Sequence, residues 1–194
     1  MITSISQKKK DLRKILFLKR KNIKKKTKNY FNVTLFDELR HKINFETITS
    51  VASFISIKSE FPTNDLNKHI MQMNKILSLP KIEPNTEILI FRQYQDNDEL
   101  NLGKFNIPEP SITKKKVFPE LIFVPCLGFD FNGYRIGYGG GYYDKTFAHL
   151  KKNNFKFYTV GIAFDDQKII EVPTEDFDYK LDYVLTEKKL YSCL

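Results

Sequence analysis

Six of the chain's eight glycines lie between Gly128 and Gly141, and what flanks them limits the fold. Before them runs Leu121-Ile122-Phe123-Val124-Pro125, an apolar stretch suited to a buried strand; after them, residues 142–152 carry apolar side chains at helical spacing. A strand, a glycine loop and a helix in that order form a unit of an α/β fold, and the edge between strand and helix is where anions bind. Glycine N–H groups with no side chain in the way can point at phosphate oxygens. The helix that follows adds roughly half a positive charge at its start.

The loop fits none of the familiar phosphate-binding patterns. There is no Gly-x-x-x-x-Gly-Lys-Ser/Thr, and Gly137, Gly139 and Gly141 are spaced so that the third glycine of a dinucleotide fingerprint is missed. A calcium-loop pattern fails after Asp130 and Asn132. Spacing alone leaves a structural turn and a ligand loop equally open. Arg135 and Asp144, at the loop's two ends, favour a ligand: a cation can hold phosphate while a carboxylate holds its Mg²⁺.

The remaining chain alternates in the same way. Phe36, Leu39 and Ile43 predict a second amphipathic helix, and residues 51–57 a buried strand with Glu60 just beyond it. Thr63, Asn64 and Asp65 start a helix whose apolar set, Leu66, Ile70, Met73 and Leu77, ends before Pro80. Residues 87–92, 121–125, 156–164 and 181–186 read as further strands. Residues 95–116, broken by Asp96, Asn97, Asp98, Gly103, Pro108 and Pro110, read as a loop or hairpin excursion. This order predicts a single α/β domain over residues 1–194: a three-layer sandwich around a mostly parallel sheet, Rossmann-like. Ligands gather at the carboxyl ends of such strands, so Glu60, the glycine loop and Asp165-Asp166 share one expected cleft.

The formal charge of +9 suggests nucleic acid until its distribution is counted. Residues 1–30 carry twelve Lys and Arg against Asp11, a local +11, which leaves the remainder at −2. That segment reads as a solvated helix face, a polyanion-binding arm, or a helix that delivers cations to a site in the main domain. Ser4, Ser6 and the lack of acids before Asp11 also admit a targeting peptide. The stripe Leu12, Ile15, Leu16 and Ile23 favours a helix packed against something, with Lys9 and Arg13 projecting together from a neighbouring face. No apolar run approaches the ~20 residues of a membrane helix, so a soluble, cytoplasmic protein with no membrane partner is expected; a monomer without a nucleic-acid partner is expected as well. Cys126 and Cys193 lack paired spacing, and His41, His69 and His149 are isolated, so neither a disulfide framework nor a metal cage is expected.

Tyr134-Arg135-Ile136-Gly137-Tyr138-Gly139-Gly140-Gly141-Tyr142-Tyr143-Asp144, preceded by Val124-Pro125-Cys126-Leu127-Gly128-Phe129-Asp130, resembles the signature of the 5-formyltetrahydrofolate cyclo-ligases. Lys9 and Arg13, the segment Ser56 to Thr63, Ile107-Pro108-Glu109-Pro110 and the closing Leu181 to Glu187 resemble the family's other landmarks in their expected order. The resemblance implies ATP-dependent cyclisation of 5-formyltetrahydrofolate to 5,10-methenyltetrahydrofolate, with Mg²⁺. It implies an ATP site of Lys9, Arg13, Arg135, Gly137, Tyr138, Gly139, Gly140, Gly141, Tyr142, Tyr143 and Asp144, with Arg135 and Asp144 catalytic. Ile57, Glu60, Phe105 and Tyr142 fall at substrate-binding positions, and Asp144 and Asp182 at metal-ligand positions. Two departures stand out: Tyr138 and Gly140 replace the Arg and Lys of some members, and Phe177 stands before Asp178 where many carry histidine. The alternatives are another ATP- or phosphate-binding α/β enzyme, or a polyanion- or RNA-binding protein acting through the basic helix.

Overall fold

The computed structural model describes residues 4–27 and 30–194; Lys28 of the basic segment lies outside them. Among the described residues the α-helices are α1 (Ile5–Lys26), α2 (Val33–Lys42), α3 (Asn64–Gln72) and α4 (Tyr142–Lys152). Twelve strands are β1 (Ser50–Ala52), β2 (Ile76–Ile82), β3 (Leu89–Gln93), β4 (Leu100–Leu102), β5 (Pro108–Pro110), β6 (Lys116–Val117), β7 (Leu121–Pro125), β8 (Gly128–Phe129), β9 (Arg135–Ile136), β10 (Tyr158–Ile162), β11 (Tyr183–Leu185) and β12 (Leu190–Ser192).

Eight strands form one sheet in the order β12-β11-β10-β7-β1-β2-β3-β6. Its middle, β11-β10-β7-β1-β2, is parallel, and β12, β3 and β6 add antiparallel edges. The mostly parallel sheet and the three layers expected from the sequence are both present. Alternate residues of β7 face opposite ways: Leu121 and Phe123 join Phe36, Leu39, Leu66 and Ile70 of α2 and α3, whereas Ile122 and Val124 join Phe147 and Leu150 of α4.

Chain direction across the sheet positions the site. From β1 the chain crosses by α3 to β2 on one side, and from β7 by α4 to β10 on the other. The neighbours β1 and β7 therefore flank a topological switch point, where the connections above the carboxyl ends diverge and leave a crevice. After β1 come Ser56 to Glu60; after β7 comes the glycine loop.

Several expectations are changed by the structure. The strand expected over residues 51–57 stops at Ala52, and Phe54 beyond it packs into the core. The helix expected to reach Leu77 ends at Gln72, because Asn74 adopts φ 57 and breaks it; Leu77 and Pro80 lie in β2. β12 follows the strand expected to be last. In α1, Ile15 is 63% exposed, and the buried face instead runs through Lys9, Leu16, Arg20 and Ile23.

Phe36 has no exposed surface and meets the rings of Phe31, Phe45 and Phe123. Phe36→Ala is expected to destabilise the fold by about 3–5 kcal/mol, read as a lowered midpoint in urea unfolding.

Candidate active site

The glycine segment is held at both ends by its own chain. After β7 the chain forms a short β8-β9 ribbon whose turn is organised by Asp130. That buried carboxylate accepts N–H bonds from Asn132 and Tyr134 through Oδ1 and from Val172 through Oδ2. Arg135 leaves β9 with its guanidinium bonded to Asp144 Oδ1 at 3.0 Å and to the Tyr179 carbonyl at 3.2 Å. The Tyr179 N–H in turn donates to Asp144 Oδ1. Residues 137–141 therefore bulge between two points joined by an ion pair.

α4 begins directly at this bulge. Gly141 occupies its N-cap position at φ 67, with no side chain capping the first turn, so the leading amides of α4 remain available to an anion.

The basic helix closes the site from above. Leu16 meets Leu127, Ile136 and Val172 in a small apolar cluster, and packs so closely on Gly128 that a Cβ there would lie 2.7 Å from Leu16 Cδ1. This contact turns three cations inward. Arg13 Nε donates to the Gly137 carbonyl at 3.0 Å. Lys9 reaches Glu175 at 2.8 Å and also pairs with Asp178, with its side chain only 7% exposed. Arg20 has no exposed surface; it donates to Ser59 Oγ at 3.2 Å, to the Cys126 carbonyl at 3.1 Å and to the Tyr138 hydroxyl at 2.5 Å. One guanidinium thus ties together the segments that follow β1 and β7.

Glu60 lies at the other end of that network. Its Oε1 accepts the Tyr138 hydroxyl at 2.7 Å and its Oε2 the Ile57 N–H at 2.8 Å. Burial raises its pKa; the two hydrogen bonds and the charges of Arg20 and Lys24 oppose that rise. Burial pushes the Cys126 thiol up to about 12, which leaves it a packed strand-end group rather than a nucleophile.

The expected residues fall into three sets. Arg13, Arg135, Gly137 to Gly141 and Asp144 surround the bulge, with Lys9 held by two acids rather than free. Ile57 and Glu60 form a buried acceptor joined to the bulge by Tyr138. Phe105 and the half-buried Tyr142 stand side by side, ring centroids 6.3 Å apart, with Lys104 donating to the Tyr142 hydroxyl; Phe105 has φ 64 and is 65% exposed. Tyr143 packs inward beside Arg135, and burial raises its pKa strongly.

Two expected residues have other partners. Tyr138 sends its hydroxyl to Glu60. Asp182 is not brought to Asp144: it sits at the amino end of β11, where Oδ2 accepts the N–H and hydroxyl of Thr159. Arg20 escaped the sequence reading, although its spacing from Arg13, Leu16 and Ile23 places it on one stripe.

The profile of the 5-formyltetrahydrofolate cyclo-ligase family matches residues 5–187. The chain belongs to this family. The 5-formyltetrahydrofolate cyclo-ligase of Escherichia coli (strain K12) is 31% identical over 147 residues, covering 73% of this chain and 80% of that protein. The one from Mycoplasma genitalium is 29% identical over 179 residues, covering 91% and 96%. The NMR structure of Aquifex aeolicus 5,10-methenyltetrahydrofolate synthetase superposes with a TM-score of 0.72 at 28% identity, covering 95% of this chain and 92% of that one.

Among the described residues no three His, Cys, Asp or Glu side chains cluster as a metal cage. The donor set still suits Mg²⁺ bound with a nucleotide, since that ion takes one or two carboxylates and completes its shell with phosphates and water. Both hydrogen bonds to Asp144 fall on Oδ1, which leaves Oδ2 for such a role.

Gly139 has φ 101, and a Cβ there would lie 3.2 Å from the Arg13 guanidinium; Gly137 has open space around its Cβ position. Gly139→Ala is expected to lower stability by about 1–3 kcal/mol, whereas Gly137→Ala leaves it unchanged or raises it by about 0.4–1 kcal/mol, as read from thermal melts.

Proposed function

We propose that this protein converts 5-formyltetrahydrofolate and ATP to 5,10-methenyltetrahydrofolate, ADP and phosphate. The observation that carries this reading is the joining of two unlike sites. An anion-seeking loop and a buried acceptor carboxylate are joined by a single hydrogen-bonded network, in a chain of the cyclo-ligase family.

A formamide oxygen is a poor leaving group, which gives ATP its purpose. The formyl oxygen attacks the γ-phosphorus and ADP departs. The resulting phosphorylated imidate has an electrophilic carbon, which the nitrogen bearing the p-aminobenzoyl group attacks to close the ring. That nitrogen loses its proton, and phosphate leaves with the former formyl oxygen. Little covalent work falls to the protein, whose task is positioning and charge neutralisation.

Each part has a place in that task. The amides of Gly139 to Gly141 and the start of α4 receive phosphate oxygens, with Arg13 alongside. One such cation–phosphate contact at about 4 Å and an effective dielectric of about 20 is on the order of 4 kcal/mol before desolvation. Arg135 holds Asp144 in position, and Asp144 would hold Mg²⁺ together with the phosphates. Bound there, the ion would neutralise charge on the transferring phosphoryl group. Glu60 accepts the amino and ring N–H donors of the pterin, and Ile57 flanks it. Phe105 and Tyr142 offer aromatic surface to the p-aminobenzoyl ring.

The polyanion-binding alternative is weakened by direction. Lys9, Arg13 and Arg20, three cations of the basic helix, face inward and are engaged.

Purified protein given MgATP and 5-formyltetrahydrofolate is expected to develop the near-ultraviolet absorbance of the methenyl product. Omitting ATP or chelating Mg²⁺ abolishes the signal. Asp144→Asn is expected to lower kcat/KM for ATP about a hundredfold while the far-ultraviolet circular dichroism stays unchanged. Absence of product from the wild-type protein would refute the proposed reaction, and full activity of the variant would remove Asp144 from it.

A further inference from the structure

The Arg20-Tyr138-Glu60 chain joins the two halves of the site. Tyr138 lies within the phosphate-binding bulge, next to the Gly137 carbonyl that Arg13 holds. Its hydroxyl nevertheless leaves that bulge for Glu60, at 2.7 Å. Arg20 donates to the same hydroxyl, and its guanidinium carbon stands 5.4 Å from the Tyr138 ring. The residue is 45% exposed, although its hydroxyl is held by Arg20 and Glu60. An anchored phenol in a glycine bulge is a mechanical connection. Movement of the bulge moves the group that orients Glu60.

We propose that Arg20 and Tyr138 are positioning residues that couple the two substrate sites, so that MgATP and the pterin substrate each tighten the binding of the other. The proposal rests on the reading of Glu60 as the pterin acceptor. A nucleotide that orders residues 137–141 fixes the backbone of Tyr138. The fixed hydroxyl then holds Glu60 Oε1 in the orientation that pterin N–H groups meet. Each carboxylate oxygen accepts two hydrogen bonds, so Tyr138 and the pterin can share Oε1. The ordering is needed once for both ligands, which makes the second bind more tightly. Burial disfavours a charged Glu60, and the fixed guanidinium of Arg20 offsets this.

The cation beside the bulge comes from α1, where Arg13 holds the Gly137 carbonyl, and the Tyr138 hydroxyl is spent on the carboxylate. The residue thereby acts in communication between the sites rather than in direct phosphate contact.

Isothermal titration separates the proposal from the reading beneath it. Wild-type protein is titrated with Mg²⁺ and a non-hydrolysable ATP analogue, with 5-formyltetrahydrofolate, and with each in the presence of the other. The expected result is affinity for both ligands and at least about a fivefold tightening of either by the other. Tyr138→Phe keeps the ring and deletes the hydroxyl; it is expected to bring the coupling factor within about twofold of one, a change that simple loss of stability does not produce. Arg20→Lys keeps the charge but cannot reach all three partners, and is expected to reduce the coupling in the same direction. Wild-type protein that binds both ligands without coupling, or Tyr138→Phe with the wild-type factor, overturns the relay alone. Wild-type protein that does not bind 5-formyltetrahydrofolate overturns the pterin reading of Glu60, and the relay falls with it.

Discussion

The contact on which the site depends is the burial of one face of α1 across the carboxyl ends of β1 and β7. Elsewhere in the molecule, layers are held by the ordinary interleaving of Phe, Leu, Ile and Val. Over the crevice, a helix packs through Leu16 and Ile23 while placing Lys9, Arg13 and Arg20 beneath itself. Burying an arginine is costly unless its donors find partners. Arg20 finds three, and they come from the segment after β1, the end of β7 and the glycine bulge. Satisfying that one guanidinium therefore fixes the relative position of the segments from which the cleft is made.

The glycines make this arrangement geometrically possible. Gly128 lets Leu16 approach the ribbon, and Gly139 leaves room for the Arg13 guanidinium while adopting a backbone conformation closed to most residues. Glycine here serves two purposes: it bares amides toward a ligand, and it admits the helix that brings the cations. The Arg135–Asp144 pair closes the base of the bulge, so the loop is flexible in composition but tethered in place.

Much of this was legible in the sequence because local chemistry dictates it. β7 and α4 have the expected bounds, since an apolar run and a helical apolar period each met a glycine loop that interrupts both. The three layers followed from alternation, and Glu60 from its place just past an apolar run. The failures are tertiary. Leu77 shares the helical period of Leu66, Ile70 and Met73 by coincidence, and a left-handed Asn74 separates them. Arg20 was hidden among twelve cations, because composition cannot say which of them a helix turns inward. Asp182 lies in a segment that follows family order, yet the strand register sets its carboxylate on Thr159 at the far end of β10. Tyr138 looked like a member of the phosphate loop from its neighbours, and only the fold reveals that its hydroxyl crosses to a carboxylate 78 positions away in sequence.

In the proposed function, α1 and the glycine bulge form one nucleotide grip. Hydrogen–deuterium exchange with and without Mg²⁺ and a non-hydrolysable ATP analogue tests it directly. The account predicts slowing by about tenfold or more of amides in residues 137–145 together with those of α1 around Lys9 to Arg20, because binding stabilises both against local opening. Unchanged exchange in the bulge, or protection confined to a face that contains neither element, would contradict it.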